Sequence, residues 1–212
     1  MVFAQYKKES GDWFKRISSR GFDDFMQEGR RSRFIPFVSS MLPKDAAILE
    51  AGSSFGRYIK ILGEQGFVDV RGIEISRELI ELGKRYGIEG IDLGSVLDLP
   101  YPDNTFDAYV DFGTLEHFRL NDSEKILSEA GRVLKSGGLI FIDVPYMNRR
   151  RRTIYPYMLF KNAAKRLMGH PFHQWIYTLK EAYNLLDDNG FTALKHVVSN
   201  SGVRVMVAAR KR

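Results

Sequence analysis

The sequence predicts an α/β fold with a seven-stranded, mostly parallel sheet and helices on both of its faces. Short apolar runs alternate along the chain with stretches whose apolar residues recur at helical spacing. Repeated strand–helix–strand units favour parallel neighbouring strands that are covered by helices. The last two β-like runs are separated only by a Ser-Asn-Ser-Gly turn segment. This segment predicts a hairpin, and therefore one antiparallel strand at or near an edge.

The first four predicted strands alternate with two predicted helices between residues 46 and 112. Gly56–Gln65 carries apolar residues at helical spacing, and Ser76 is a good N-cap for a helix over Arg77–Tyr86. The strands predicted in this half are Ala46–Ala51, Val68–Ile75, Gly90–Leu93 and Phe106–Phe112.

The second half adds two helices and three strands. Asp122 or Ser123 is expected to cap a helix that runs through Leu134 and is ended by the Gly-Gly pair at 137–138. A further helix over Leu179–Asp188 is expected to stop at the following Asn-Gly pair. The strands predicted in this half are Leu139–Val144, Phe191–Val198 and Val203–Ala209.

Length and composition indicate a globular protein of one large domain with appendages. The 212 residues are 44% hydrophobic and 27% charged, which is ordinary for such a protein. We expect residues 1–44 to form an N-terminal helical appendage. Residues 45–212 are expected to form the main domain, with residues 145–177 as a basic, aromatic insertion on the substrate side.

Several classes of protein are excluded or disfavoured by what the sequence lacks. The absence of cysteine excludes disulfides, zinc–thiolate and iron–sulfur sites and a cysteine nucleophile, and no metal is expected. There is no run of about 18 uncharged apolar residues, and the first residues lack the apolar core of a secretory signal. The sequence therefore predicts a cytoplasmic protein, with peripheral membrane association as an additional expectation.

The net charge of +6 is unevenly distributed along the chain. Residues 45–144 contain 10 basic and 18 acidic residues, whereas residues 145–177 contain 7 basic residues and no acidic one. Such asymmetry in charge indicates that the segments have different roles. The acidic middle suits a cationic ligand, and any role of the basic residues belongs to the flanking segments.

One segment, Ile48–Gly56 (ILEAGSSFG), places glycines at the turn between the first strand and the first helix. Glycine lets a ligand approach the backbone closely, at the strand ends where open α/β sheets bind ligands. Glu74 follows Gly52 by 22 residues and ends the second strand, where a carboxylate can accept both hydroxyls of a ribose. Dinucleotide-binding folds share this pattern, and a tight turn with a surface glutamate is the simpler alternative.

Four further segments follow in a recognisable order: Gly72–Ser76 (GIEIS), Gly94–Asp107 (GSVLDLPYPDNTFD), Leu115–His117 (LEH) and Arg132–Gly138 (RVLKSGG). Together with Glu50-x-Gly52-x-x-x-Gly56, they make the chain resemble the class I S-adenosylmethionine-dependent methyltransferases. It is most similar to the broad small-molecule group called methyltransferase type 11. The resemblance covers residues 46–144 closely and 178–209 loosely, and it implies a Rossmann-like fold.

The resemblance also implies S-adenosylmethionine as cofactor and S-adenosylhomocysteine as product. The glycine turn would cradle the methionine part, the acid at the end of the second strand would hold the ribose, and the 94–107 segment would meet the adenine. The end of the fourth strand would approach the sulfonium. The cofactor-binding residues predicted in this way are Glu50, Gly52, Ser53, Gly56, Glu74, Ile75, Ser95, Val96, Asp111, Phe112 and Gly113.

Two positions depart from the family pattern. Ser54 replaces the middle glycine, so the turn is expected to shift or to use the hydroxyl. Ser95 stands where an acid commonly accepts from the adenine amino group, and a neutral hydroxyl is a weaker acceptor than a carboxylate. A relative that kept the fold and lost catalysis is therefore one alternative. The 94–107 and 132–138 segments argue against another, an NAD-dependent oxidoreductase.

A general base is needed only when the acceptor must lose a proton, as a hydroxyl does. His117, after the fourth strand, and His173, before the next helix, are the candidate catalytic residues, because histidine titrates near neutral pH. Structural histidines are the alternative for both. The segment Asp111–Thr114 argues against exocyclic-amine DNA and glutamine methyltransferases, which carry an Asn-Pro-Pro-Tyr or Asp-Pro-Pro-Tyr motif at this place.

The basic insertion at residues 145–177 indicates which classes of acceptor the protein could bind. Basic and aromatic residues together suit an anionic headgroup or membrane surface or a nucleic acid, and a simple lid is the third interpretation. The candidate substrate-binding residues are Arg149, Arg150, Tyr155, Tyr157 and Trp175. The sequence thus predicts methylation of a small-molecule, lipid-like or glycan acceptor at an oxygen, with RNA as the alternative substrate.

Overall fold

The structure is a computed structural model that describes residues 14–15, 21–118, 120–149, 151–153 and 175–212. The strands are β1 (Ala47–Ala51), β2 (Asp69–Glu74), β3 (Ile91–Leu93), β4 (Phe106–Phe112), β5 (Leu134–Pro145), β6 (Phe191–Val198) and β7 (Arg204–Lys211). The main helices are α1 (Phe22–Arg30), α2 (Phe34–Ser39), α3 (Arg57–Glu64), α4 (Arg77–Arg85), α5 (Leu120–Val133) and α6 (Leu179–Asp188), and a 3₁₀-helix spans Leu115–His117.

The seven strands form one sheet in the order β3-β2-β1-β4-β5-β7-β6. The first four neighbouring pairs in this order are parallel, and β7 runs antiparallel to both β5 and β6. The predicted fold class is confirmed, including the single antiparallel strand near an edge. The hairpin formed by β6 and β7 accounts for it, because strands joined by a short turn must run in opposite directions.

Parallel pairing aligns the carboxyl ends of the central strands. Ala51 at the end of β1 pairs with Ile73 of β2 on one side and with Asp111 of β4 on the other. Glu50 and Glu74 therefore lie at the same edge as the end of β4. This edge is where open α/β sheets bind their ligands.

Two apolar layers cover the two faces of the sheet. One layer contains Leu127 and Val133 of α5 together with Leu186 of α6, and the other contains buried apolar residues from each of the helices α1 to α4. Burying a side chain of this size contributes about 1.5–3 kcal/mol relative to leaving it exposed. Both layers therefore contribute to the stability of the sheet that carries the binding edge.

The N-terminal helices α1 and α2 belong to the second of these layers. Phe25 and Met26 of α1 and Val38 of α2 are buried in the same cluster as Ile61 and Leu62 of α3. The described part of the N-terminal segment thus packs directly on the helix that follows the glycine turn. The division of the chain into residues 1–44 and 45–212 stays a prediction.

The boundary between α5 and β5 differs from the expected one. The helix ends at Val133, and Leu134 already pairs with Phe106, after which a register shift brings Leu139 opposite Ala108. The carbonyl groups of Arg132 and Val133 accept from the amides of residues 104 and 105. Because strand-like bonds satisfy the helix end, the Gly-Gly pair is not needed as a C-cap and lies inside β5.

The start of α5 also differs from the expected one, because the helix already includes Leu120. Asp122 lies in the first turn, and Ser123 is a fully buried residue on the packed face. The expectation that one of these two residues is the N-cap was wrong. An aspartate within the first turn still interacts favourably with the helix dipole, which explains why the sequence signal pointed to this region.

None of the helices among the described residues is long and apolar enough to cross a membrane. No group of three or more His, Asp or Glu side chains within the described ranges could hold a metal ion.

Candidate active site

The turn between β1 and α3 is built on two glycines in the left-handed conformation. Gly52 has φ 62° and Gly56 has φ 83°, a region in which L-residues are strained. A Cβ on Gly52 would overlap the side chain of Thr114, and one on Gly56 would lie 2.6 Å from Cγ2 of Ile88. Glycine is therefore required at both positions for conformation and for space.

Glu74, at the end of β2, ties this turn to the neighbouring strand. Its buried carboxylate accepts from the backbone amides of Ser54, Ile75 and Ser76, each at 2.9 Å. Burial raises the pKa of Glu74, although the three amides lower it. A carboxylate offers about four acceptor sites, so the group can still accept from a ligand hydroxyl while it shapes the turn.

Ser54 occupies the position at which the resemblance to methyltransferases predicts the middle glycine of the turn. Its φ is 55°, so the serine itself takes the left-handed conformation. Its hydroxyl is buried and has no hydrogen-bond partner among the described residues. No described residue bonds to this hydroxyl, so the expectation that the turn shifts or uses the hydroxyl stays a prediction. The serine holds a backbone conformation that is strained for an L-residue.

Glu50 is a buried acid beside the turn with an unsatisfied oxygen. It is 2% exposed, and its Oε2 has no partner among the described residues. Burial raises its pKa to about 8, and Arg57 acts against this shift. A buried carboxylate that is charged and lacks partners is energetically costly. The position of Glu50 therefore suits a ligand that brings a positive charge.

Local hydrogen bonds hold the segment that is expected to contact the adenine. Ser95 Oγ accepts from the amide of Leu97 (3.2 Å), and Val96 is buried. The amide of Gly94 donates to the Glu74 carbonyl (2.9 Å), which links this segment to the end of β2. Ser95, Val96 and the half-buried Ile75 thus lie next to the ribose-binding candidate.

Asp111 organises the turn after β4. It is fully buried, and its carboxylate accepts from the amides of Gly113 (2.8 Å), Thr114 (2.7 Å) and Leu115 (2.9 Å). Burial and the nearby Glu116 raise its pKa to about 8. Thr114 Oγ1 donates to the Ala51 carbonyl (3.0 Å), so the turn after β4 is joined to the glycine turn.

Phe112, the last residue of β4, forms an aromatic wall with Tyr58 of α3. The two rings stack with centroids 3.8 Å apart, and the Arg57 guanidinium lies 4.4 Å from the centre of the Tyr58 ring. Arg57 Nη2 also donates to the Tyr58 hydroxyl (2.8 Å). This contact holds the start of α3 against the end of β4.

A buried ion network supports the cleft from the side of β5 and β7. Arg204 Nε donates to both carboxylate oxygens of Asp143 (2.9 Å), and Nη1 donates to Oε1 of Glu116 (2.8 Å). The Glu116 and Asp143 side chains are only 1% and 6% exposed. Burial raises the pKa of Asp143 to about 7, although Arg204 lowers it. A Cβ on Gly113 would lie 2.8 Å from Nη2 of Arg204, so the network touches the end of β4.

The predicted catalytic and substrate-binding residues fall partly inside the described ranges. His117 lies half-buried in the 3₁₀-helix after β4, and its amide donates to the Thr114 carbonyl (3.1 Å). The backbone amide of the exposed Trp175 donates to the Glu116 carbonyl (3.1 Å), so Trp175 lies beside the 3₁₀-helix that contains His117. Arg149 is exposed. The remaining candidates lie outside the described residues: Arg150, Tyr155, Tyr157 and His173.

Several contributors to the cleft were not singled out from the sequence. Arg204 and Asp143 meet across strands, and no motif marks them. Thr114 and Glu116 lie inside segments that were recognised, so their position next to the glycine turn was a usable signal. Tyr58 looked like an ordinary apolar helix position.

The order of the strands and the position of the cleft at their carboxyl ends define a Rossmann-like fold class. Residues 49–142 match the family model described as a methyltransferase domain. Over these residues, which are fewer than half of the chain, the sequence is similar to that family, and this similarity supports the predicted resemblance to class I methyltransferases. S-adenosylmethionine is the cofactor of that class.

Curated relatives share this region with the chain. Ajmaline N-methyltransferase of Rauvolfia serpentina is 31% identical over 51% of the chain and 39% of its own length. A 2-methyl-6-phytyl-1,4-hydroquinone methyltransferase of Oryza sativa subsp. japonica is 29% identical over 68% of the chain and 45% of its own length. Probable tRNA methyltransferase 9B of Mus musculus is 28% identical over 50% of the chain. The chain spans less than half the length of each of these relatives.

Solved structures show the same fold. A SAM-dependent methyltransferase from Methanosarcina mazei has a TM-score of 0.69 at 21% identity, over 83% of this chain and 97% of its own. The 1,6-didemethyltoxoflavin-N1-methyltransferase of Burkholderia thailandensis, solved with S-adenosylhomocysteine, has a TM-score of 0.68 at 19% identity, over 99% of this chain and 88% of its own. At these identities the likeness concerns the fold.

Proposed function

We propose that the chain transfers a methyl group from S-adenosylmethionine to a small-molecule, lipid-like or glycan acceptor, at an oxygen. The observation that carries the cofactor assignment is the buried Glu50, whose Oε2 has no partner among the described residues and lies beside the glycine turn. A ligand that carries an ammonium and a sulfonium would compensate this acid. Glu74, at the end of β2, has the position for the ribose and about one acceptor site left for a ribose hydroxyl, beside the three that the backbone amides use.

In this proposal the residues of the chain bind and orient the two reactants. Glu50 and the turn amides hold the amino acid part of the cofactor, and Ile75, Ser95 and Val96 hold the adenine. When bound, the cofactor supplies an electrophilic methyl group. The turn ordered by Asp111 and the wall formed by Phe112 keep water from the reacting atoms, and fixed positions of the two reactants supply much of the acceleration.

His117 is the candidate base for an acceptor hydroxyl. It ends the 3₁₀-helix that follows β4, is half-buried, and is the next residue in the sequence after Glu116 of the ion network. A base placed there can accept the proton that an oxygen acceptor loses, which a non-protonated acceptor would not require. His173 is the second candidate, and it lies outside the described residues.

The acceptor class is supported by the relatives and by the charge pattern. Two relatives are named for small molecules, ajmaline and a hydroquinone. The second candidate function is methylation of RNA, because one relative is named for tRNA and residues 145–177 contain 7 basic residues and no acidic one. Isotope-labelled methyl transfer into lipid, glycan and RNA extracts separates these substrates. Transfer into none of them would favour a relative that has lost catalysis.

The ribose role of Glu74 can be tested by calorimetry with S-adenosylhomocysteine and its 2′,3′-dideoxy analogue. Loss of the ribose hydroxyls should weaken binding to the wild-type protein about tenfold, because hydrogen bonds to a charged acceptor are worth about 1.5–3 kcal/mol. In Glu74→Gln the same loss should cost much less. Comparing the two ligands cancels the effect of the variant on the turn, which Glu74 also holds.

Glu81→Gln is the matched control for this experiment. Glu81 is an exposed acid on the neighbouring helix α4, paired with Lys84. This variant should discriminate between the two ligands as the wild-type protein does. Equal discrimination in Glu74→Gln and in the wild-type protein would contradict the ribose assignment.

A further inference from the structure

Arg151 is held between the segment that follows β5 and the β6–β7 hairpin. Its amide donates to Oδ1 of Asn148 (2.7 Å), and the Asn148 side-chain amide donates to the Gly202 carbonyl in the hairpin (2.7 Å). Nη1 of Arg151 donates to the Tyr146 carbonyl (3.3 Å). The Arg151 side chain is therefore partly buried and fixed in place.

Arg151 has no carboxylate partner among the described residues. Its one side-chain hydrogen bond within those ranges goes to the Tyr146 carbonyl, which leaves most of the five guanidinium N–H donors unused. The adjoining segment 154–174, which lies outside the described residues, contains no aspartate or glutamate. A charge that has lost part of its hydration normally has a partner, so Arg151 offers a place for one.

The positive charge of Arg204 acts on Arg151 and repels its guanidinium. Burial and repulsion from Arg204 lower the pKa of Arg151. Arg204 is itself engaged by Asp143 and Glu116, so its hydrogen-bonding capacity is largely used. Of these two arginines, Arg151 is the one whose charge is not matched.

The neighbouring arginines differ in their surroundings. Arg149 and Arg152 are exposed to solvent, where a charged side chain is hydrated and contributes little to specific binding. The Tyr146 carbonyl that accepts from Arg151 belongs to a residue whose amide donates to the Val203 carbonyl (2.8 Å), directly before Arg204. Nη2 of Arg204 in turn would lie 2.8 Å from a Cβ on Gly113, just after β4. A group bound by Arg151 would thus lie close to the proposed place of methyl transfer.

We infer that Arg151 binds an anionic group of the acceptor, a phosphate or a carboxylate, on the substrate side of the cleft. This inference rests on the proposed function and specifies its acceptor. A planar guanidinium forms paired, charge-assisted hydrogen bonds with either anion. An anion at this place also offsets the repulsion between Arg151 and Arg204, which a neutral acceptor would not do.

The first experiment measures how inorganic phosphate raises the thermal unfolding midpoint of the full chain, at constant ionic strength and with and without S-adenosylhomocysteine. Phosphate should stabilise the wild-type protein, because a ligand that binds only the folded state raises its stability. Arg151→Gln should need about tenfold more phosphate for the same shift, from the loss of charge-assisted bonds. Arg151→Lys, which keeps the charge without the planar fork, should fall between the two.

Arg152→Gln is the matched control, because it removes the same charge from an exposed position. This variant should respond to phosphate as the wild-type protein does. If it weakens the response as much as Arg151→Gln, the response comes from a general positive surface and the inference is overturned. It is also overturned if Arg151→Gln lowers the midpoint without phosphate and leaves the phosphate-induced shift unchanged, since Arg151 would then only support Tyr146.

Two further probes identify the source of the anion. Glycerol 3-phosphate tests a soluble phosphate ester, and vesicles of phosphatidylglycerol against phosphatidylcholine test a lipid headgroup. Sensitivity to Arg151→Gln in either arm supports the inference, and insensitivity in both overturns it. Calorimetry with S-adenosylhomocysteine reports the proposed function separately. A chain that fails to bind this nucleoside contradicts the proposed function, whereas a missing phosphate response contradicts only the inference on Arg151.

Discussion

At the scale of single residues, the turn between β1 and α3 contains two glycines that its conformation requires and one serine that is strained. Gly52 and Gly56 adopt the left-handed region at no steric cost, but Ser54 between them adopts it at φ 55°. A left-handed conformation costs an L-residue roughly 1–2 kcal/mol. The fixed position of Ser54, whose amide donates to Glu74, shows that the surrounding contacts are strong enough to hold it there.

Replacing Ser54 by glycine should therefore stabilise the protein. Ser54→Gly removes the strained side chain and a buried hydroxyl without a described partner, which together outweigh the added freedom of the unfolded chain. We expect the free energy of unfolding in urea to rise by about 1 kcal/mol. The affinity for S-adenosylhomocysteine should not fall, because the backbone conformation stays the same.

Asn104 provides the matched control for this variant. It also has φ 55°, but asparagine tolerates the left-handed region better than serine does. Asn104→Gly should therefore change the free energy of unfolding little. A gain of equal size in both variants, or no gain in Ser54→Gly, would show that strain at Ser54 is not the cause.

At the scale of elements, the N-terminal helix α1 is packed on the glycine turn. The Phe55 ring, inside the turn, lies 5.7 Å from the Phe22 ring and 6.2 Å from the Phe25 ring. Arg57 Nη1 donates to the Phe25 carbonyl (3.4 Å). Since α1 contacts the residues that shape the turn, its packing and the binding of the cofactor should be coupled.

Truncating Phe25 should reduce both stability and cofactor affinity. Phe25→Ala removes a ring that is 2% exposed, and such changes cost about 3–5 kcal/mol of unfolding free energy. Calorimetry should then show weaker binding of S-adenosylhomocysteine, because the turn loses its support. Phe191→Ala is the control, since Phe191 is equally buried in the other apolar layer. It should destabilise similarly and leave affinity unchanged, and parallel affinity losses would refute the coupling.

The elements themselves could largely be read from the sequence. The predicted bounds of β4, β6 and α6 agree with the structure, because each lies between clear turn signals. The start of β5 could not be read, since Leu134 looks like the last apolar residue of a helix until its pairing with Phe106 is known. Local sequence patterns indicate the propensity for helix or strand, whereas pairing with the neighbouring strand decides where β5 begins.

The cleft was predictable only where strand order determines proximity. Glu74 had to lie near the glycine turn once β1 and β2 were taken as parallel neighbours. Arg204 bonds to Glu116 and Asp143 across separations of 88 and 61 residues, and strand patterns do not specify such partners. The ion network and the place of Arg151 therefore emerged only from the structure.

At the scale of the whole molecule, acidic groups are concentrated at the carboxyl edge of the sheet. Burial raises the pKa of Glu50 and of Asp111 to about 8 in each case, and the acidic excess of residues 45–144 is consistent with this edge. Groups held protonated by burial suit a cationic ligand, whose binding would favour their charged form. The same arrangement makes the protein without ligand sensitive to alkaline pH.

Stability of the ligand-free protein should fall as pH rises from about 5 to 8. Glu50 titrates near 4.5 when unfolded and near 8 when folded, so the folded state binds more protons in this window. Its contribution to stability is complete below the lower value and is lost towards the higher one. Glu50→Gln should flatten this decline by up to about 1.4 kcal/mol per pH unit in urea unfolding. Glu64→Gln is the control, because Arg30 lowers the pKa of Glu64 and keeps its titration below this window. An unchanged slope in Glu50→Gln would contradict the raised pKa of Glu50.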